Sequence, residues 1–183
     1  MNRGILIVGL NGAGKTTLGR VLADALGWFR MDVEDYFFTP ADNPYAVSRT
    51  KDEVRQLMLA DIERHGRFVL SSVSGDWGEA LAARVGAVVV LDAPLETRLV
   101  RIDRRSVARF GSRVMPGGDM YDQERRFRDF AAARSERIIE DWLETVKVPI
   151  LRLDATLSAD AILDIALRWL KDLSFTEDRH ART

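Results

Sequence analysis

Residues 9–16 read Gly-Leu-Asn-Gly-Ala-Gly-Lys-Thr, the G-x-x-x-x-G-K-[ST] pattern of a phosphate-binding loop. Its flanks constrain the fold as much as its letters. Gly4-Ile5-Leu6-Ile7-Val8 precedes it, an apolar run of buried-strand length. Leu18, Val21, Leu22 and Ala25 follow at helical spacing, and Gly27 ends that helix. Strand, glycine turn and helix together open a parallel α/β unit. The spelling follows from chemistry. Gly9, Gly12 and Gly14 let the backbone curl so that N–H groups point at an anion. The new helix N-terminus adds its positive end. Lys15 supplies a point charge for the β/γ-phosphates, and the Thr16 hydroxyl is a Mg²⁺ ligand. The expected nucleotide cradle is Gly9, Asn11, Gly12, Ala13, Gly14, Lys15, Thr16 and Thr17.

At 183 residues with 46% hydrophobic content, the chain is expected to form one domain over 1–173, with a polar tail at 174–183. The net charge of −1 gives no field that would attract nucleic acid or an anionic membrane. The absence of cysteine excludes disulfides, thiolate metal sites and a cysteine nucleophile. No apolar run reaches membrane-spanning length and no signal peptide is visible, so a cytoplasmic protein without a membrane partner is expected.

Further strands are expected at 28–31, 68–73, 87–91 and 149–153, with helices at 52–64, 78–84, 95–107, 121–146 and from Ser158 through Trp169. Residues 34–45 read as irregular, broken by Pro40 and Pro44, and 109–120 as a loop holding Pro116-Gly117-Gly118. Five β–α repeats predict an α/β fold, a parallel sheet with helices on both faces. Its ligands belong outside the carboxyl ends of the strands. Segments 9–16, 32–35, 71–76, 92–94 and 154–156 converge on that rim.

Asp32-Val33-Glu34-Asp35 places three carboxylates at the end of the second strand. Asp32 suits Mg²⁺ water ligation and Glu34 suits contact with an acceptor. The alternative role for such acids is capping the next segment, and Asp35 fits that better. Arg98, Arg101, Arg104, Arg105, Arg109 and Arg113 stand against one acid, Asp103, which makes this stretch locally +5. A basic segment followed by hinge-capable glycines suits phosphoryl transfer, which needs charge stabilisation and water exclusion. Arg105, Arg109 and Arg126 are the first choices for that work, and Arg125, Arg128 and Arg134 can approach from the next helix. The ordinary alternative is a solvated face paired with Glu96, Asp122, Glu124, Asp129 and Glu136. Asp76, after the third strand, and Arg49 are candidate acceptor contacts. His65 and His180 lack metal-ligand spacing.

The loop at 9–16, the acidic end at 32–35, the arginine-rich helix and the 126–130 segment occur in one order. In that order the chain resembles small P-loop kinases of the nucleoside-monophosphate kinase and shikimate kinase superfamily, over about residues 4–172. Leu153-Asp154-Ala155-Thr156 likewise resembles the segment those kinases place against adenine. The resemblance implies a three-layer fold with strand order 2-3-1-4-5, ATP as donor, Mg²⁺, and a mobile lid, here 105–120, with 33–66 on the acceptor side. Asp32 then resembles the first acid of the shikimate kinase D-x-D motif, and Arg105 or Arg109 the lid arginines. Two departures leave the acceptor open. Ser71 stands where monophosphate kinases carry an aspartate, and Ser74-Gly75-Asp76 where shikimate kinases carry three glycines. The acidic and aromatic segment 33–50 leans toward a hydroxyl-bearing or partly cationic acceptor.

The expected activity is transfer of the γ-phosphate of ATP to a nucleotide, nucleoside or hydroxylated metabolite, by a monomer or homodimer. The alternative is an ATPase or nucleotide-binding regulatory protein with no small-molecule acceptor. The guanine motif N-K-x-D and the L-S-G-G-Q signature are both missing, which removes two common switch and transport classes.

Overall fold

The computed structural model describes residues 4–38, 48–173 and 175. Five parallel strands form one sheet in the order β2-β3-β1-β4-β5: β1 (Gly4–Val8), β2 (Phe29–Asp32), β3 (Phe68–Ser72), β4 (Val85–Asp92) and β5 (Ile150–Asp154). The central β1 is paired along its length to β3 and β4, with Val8 beside Ser72 and Val90. Every β1 residue is buried, as a strand covered on both faces requires.

Alternation along β1 separates two cores. Leu6 and Val8 face one side with Met31, Met58, Phe68 and Leu70. Ile5 and Ile7 face the other with Leu18, Leu22, Ala166 and Leu170. Helices α1 (Lys15–Leu26) and α8 (Ala159–Asp172) cover the second side. The first is covered by α3 (Lys51–His65) and, through Ile139, by α7 (Arg137–Leu143). These are the three layers and the strand order expected.

Four expectations about local structure need correction. Residues 33–37 form a short helix, α2 (Val33–Phe37), because the Asp32 carboxylate accepts the Glu34 N–H and caps it. Pro40, Pro44 and Tyr45 lie outside the described residues, as do 176–183 of the tail. The expected long helix at 121–146 is two helices, α6 (Tyr121–Ala133) and α7. Arg134 leaves helical geometry at φ −70°, ψ 120°, and the Ser135 hydroxyl accepts the Arg137 N–H, a local bond that competes with the helix ladder. The loop expected at 109–120 is more regular. Helix α5 (Leu95–Phe110) runs into a 3₁₀ turn at Gly111–Val114, and the Arg113 guanidinium grips the Asp119 carboxylate with bonds of 2.6–3.1 Å. Finally, β4 begins at Val85, two residues early.

Candidate active site

The phosphate loop leaves β1 and turns into α1 at Gly14, whose φ of +100° lies in the left-handed region. Gly12 is also left-handed, φ +84°, and a Cβ there would run into the backbone of Arg98 on α5. Glycine is therefore required at 12 on two grounds, backbone angle and contact. Beneath the loop, the Ser71 hydroxyl donates to the Lys15 carbonyl at 3.1 Å and so joins the first turn of α1 to β3.

A cavity of about 620 Å³ opens over this loop. Its lining brings together Asn11, Gly12, Ala13, Gly14, Lys15, Thr16 and Thr17 with Asp32, Glu34, Arg105 and Arg109. Gly9 lies behind the loop, packed against Leu91. The Lys15 ammonium donates to the Leu10 carbonyl at 3.2 Å. Burial pushes its pKa down to about 8, against the raising fields of Glu34 and Asp32, with Arg105 and Arg134 adding to the fall.

Asp32 is buried and uses both oxygens. One accepts the Thr16 hydroxyl at 2.7 Å, and the other accepts the Glu34 N–H at 3.1 Å. The two roles weighed for this residue, metal-side carboxylate and helix cap, fall to different oxygens of one carboxylate. Thr16 and Asp32 form a pair of hard oxygen donors at the phosphate end of the cavity. That fits Mg²⁺, which takes one or two protein oxygens and completes its shell from phosphates and water. Among the described residues, no cluster of three or more histidine, cysteine or acidic side chains has the arrangement of an all-protein metal site.

Three expected site residues lie outside this cavity. Arg126 is exposed on α6 and does not line the cavity. The Asp76 carboxylate accepts from the Lys51 ammonium at 3.0 Å at an exposed position. Arg49 turns back onto its own segment, its guanidinium donating to the Tyr36 carbonyl at 2.8 Å and its N–H to the Phe37 carbonyl. Asp35 is paired to Arg30 at 3.1 Å.

Three arginines passed over as first choices reach the loop instead. Arg101 lines the cavity and donates to the Ala13 carbonyl at 3.4 Å and the Ala155 carbonyl at 2.7 Å. Arg98 is buried at 3% exposure and donates to the Ala93, Asn11 and Ala131 carbonyls. Burial lowers its pKa, with Glu136 acting in the opposite direction. Arg134 donates to the Asn11 side-chain oxygen at 3.1 Å while packing over the Phe130 ring. The signal for Arg98 and Arg101 was present, because 98, 101 and 105 share one helix face. The signal for Arg134 was not, because its position depends on a helix break that carries no proline or glycine.

A family model described as an AAA domain matches residues 5–109, from β1 through the arginine-rich helix. The chain belongs to that family. Protein YqaC of Bacillus subtilis is 28% identical over 178 residues, covering 93% of this chain and 98% of that one. A shikimate kinase of Gloeobacter violaceus is 27% identical over 130 residues, 64% of this chain and 70% of that one. Among solved structures, a sugar kinase from Janibacter superposes with a TM-score of 0.55 at 15% identity, over 98% of this chain and 100% of that one. The expected resemblance to small P-loop kinases holds, and no particular member is singled out.

Proposed function

We propose that this protein is an ATP- and Mg²⁺-dependent phosphotransferase acting on a hydroxyl-bearing small molecule. The observation that carries this reading is the convergence of the phosphate loop, the Thr16–Asp32 pair, Glu34 and the α5 arginines on one cavity. Loop N–H groups and Lys15 bind the β- and γ-phosphates of ATP. Thr16 and Asp32 would hold Mg²⁺, which would neutralise phosphate charge when bound. Glu34, at the acceptor-side wall, orients the acceptor hydroxyl and takes its proton. The hydroxyl oxygen bonds to the γ-phosphorus, the bond to the β–γ bridging oxygen breaks, and ADP leaves with that electron pair. Arg105 and Arg109 stabilise the charge on the transferring group, which is most of what this chemistry asks of a protein. Arg126, Asp76 and Arg49 have no place in this scheme, since none lines the cavity.

The test is ADP release from Mg-ATP across nucleoside monophosphates, nucleosides, sugars, amino-sugars and hydroxy acids, with Lys15→Ala as control. An acceptor that raises turnover by about tenfold, with the gain lost in the control, supports the reading. Hydrolysis at one slow rate with every acceptor turns it toward an acceptor-independent ATPase.

A further inference from the structure

The phosphate loop is seated on one residue of α5. Gly12 packs against the Arg98 backbone so closely that a Cβ has no room. The Arg98 side chain then turns under the loop and donates to three main-chain carbonyls: Asn11 at 3.3 Å, Ala93 at 3.3 Å and Ala131 at 3.4 Å. These belong to the loop, the turn before α5 and the last turn of α6. Among the described residues no carboxylate accepts from it, and Glu136 acts only through space. A buried guanidinium shared by three carbonyls is specific to arginine, because its planar fork fixes several donors at once. The far side of Asn11 is tied to the same place, by Arg134 just beyond α6. The loop is therefore tied to α5 directly through Arg98, and to the end of α6 through Arg98, which also bonds the Ala131 carbonyl, and through Arg134 just beyond that helix.

We infer that Arg98 is a positioning residue that couples phosphate binding at the loop to the order of the lid-bearing helices α5 and α6. This rests on the nucleotide-binding reading of the loop and adds to it a residue that touches no substrate. The coupling works in both directions. Whatever fixes the Asn11 carbonyl fixes the root of α6, and whatever loosens α6 loosens the cradle.

The first test uses the wild-type protein. Amide hydrogen exchange is followed with and without saturating Mg-ADP. The expected result is slowed exchange at residues 9–18 and also at 130–134, the α6 end that Arg98 reaches. Slowing confined to 9–18 overturns the inference. The second test measures fluorescent ADP binding to Arg98→Lys and Arg98→Met, well below their unfolding midpoints. Lysine keeps the charge but not the three-way fork, so both variants are expected to bind about tenfold more weakly. A lowered melting temperature with unchanged affinity marks a purely structural arginine and overturns the inference alone. Failure of the wild-type to bind ADP overturns the nucleotide reading and this inference with it. If neither variant folds, the exchange experiment decides.

Discussion

The Thr16 hydroxyl donates to Asp32 across 2.7 Å, joining the first turn of α1 to the end of β2. The same carboxylate caps α2 through its other oxygen. These two functions separate in Asp32→Asn. An amide oxygen still accepts the Glu34 N–H, so the cap survives and stability is expected to change by under about 1 kcal/mol. The negative charge that would hold Mg²⁺ is lost. Turnover is expected to fall by about 100-fold, with a raised Mg²⁺ requirement. ADP release titrated with Mg²⁺, alongside thermal melting, checks both halves. Near-normal turnover at low Mg²⁺ would remove Asp32 from the metal site.

Burial of Lys15 makes both stability and phosphate affinity depend on pH. Its ammonium titrates near 10.5 in the unfolded chain and about 8 in the folded one. Between those values the unfolded chain holds more protons, so the contribution of this residue to stability rises with pH from about 8 toward 10.5. Below about 8 the cost of the desolvated charge is fully present. Lys15→Met is therefore expected to melt higher than wild type at pH 7 and to converge with it above pH 10. Phosphate favours the charged lysine, so ADP affinity is expected to weaken as pH rises past 8, with proton uptake on binding just above it. Calorimetry in buffers of different ionisation enthalpy measures that uptake. Affinity that stays flat through this window counts against Lys15 as the phosphate contact.

The loop and its flanks were legible in the sequence because their requirements are local. A left-handed turn selects glycine at 12 and 14, and a doubly covered strand selects an unbroken apolar run at 4–8. The sheet order was not in the residues themselves and entered only through the resemblance to P-loop kinases. Which arginine meets the loop was less legible. Periodicity puts 98, 101 and 105 on one face of α5, but it does not say that Arg98 lies under the loop while Arg105 lines the cavity above it. Arg126 and Arg134 exchange places for a similar reason. Arg134 reaches Asn11 because α6 stops just before it, and Ala131-Ala132-Ala133 carries no stop signal. Asp76 and Arg49 looked available from sequence because nothing local shows that Lys51 and the Tyr36 carbonyl engage them.

Gly12 and Gly14 differ in a way that alanine reveals. Both hold positive φ, which costs an L-residue about 1–2 kcal/mol. At Gly14 a Cβ meets nothing nearer than the Arg101 guanidinium at 3.9 Å. Gly14→Ala is expected to lose about that amount and to retain weak ADP binding. At Gly12 the Cβ meets the α5 backbone, which cannot swing aside as a side chain can. Gly12→Ala is expected to cost about 1–3 kcal/mol more and to abolish binding. Denaturant unfolding and ADP titration of the two variants rank them. Equal penalties would mean that the loop lifts off α5 without cost.

Arg134 donates to the Asn11 side chain and its field reaches Lys15. Arg126 is exposed, and among the described residues its side chain makes no hydrogen bond or ion pair. A charge-assisted bond beside a desolvated ammonium contributes about 1.5–3 kcal/mol. Arg134→Met is therefore expected to lower kcat/KM for Mg-ATP by about 10- to 100-fold. It also removes a neighbouring positive charge, so the Lys15 pKa is expected to rise and the fall in ADP affinity to move to higher pH. Arg126→Met changes no contact near the cavity and is expected to stay within about twofold of wild type. Side-by-side kinetics at pH 7 and 9 separate the two. The reverse ranking would place the phosphate-side arginine on the body of α6 and leave Arg134 as a brace for Asn11.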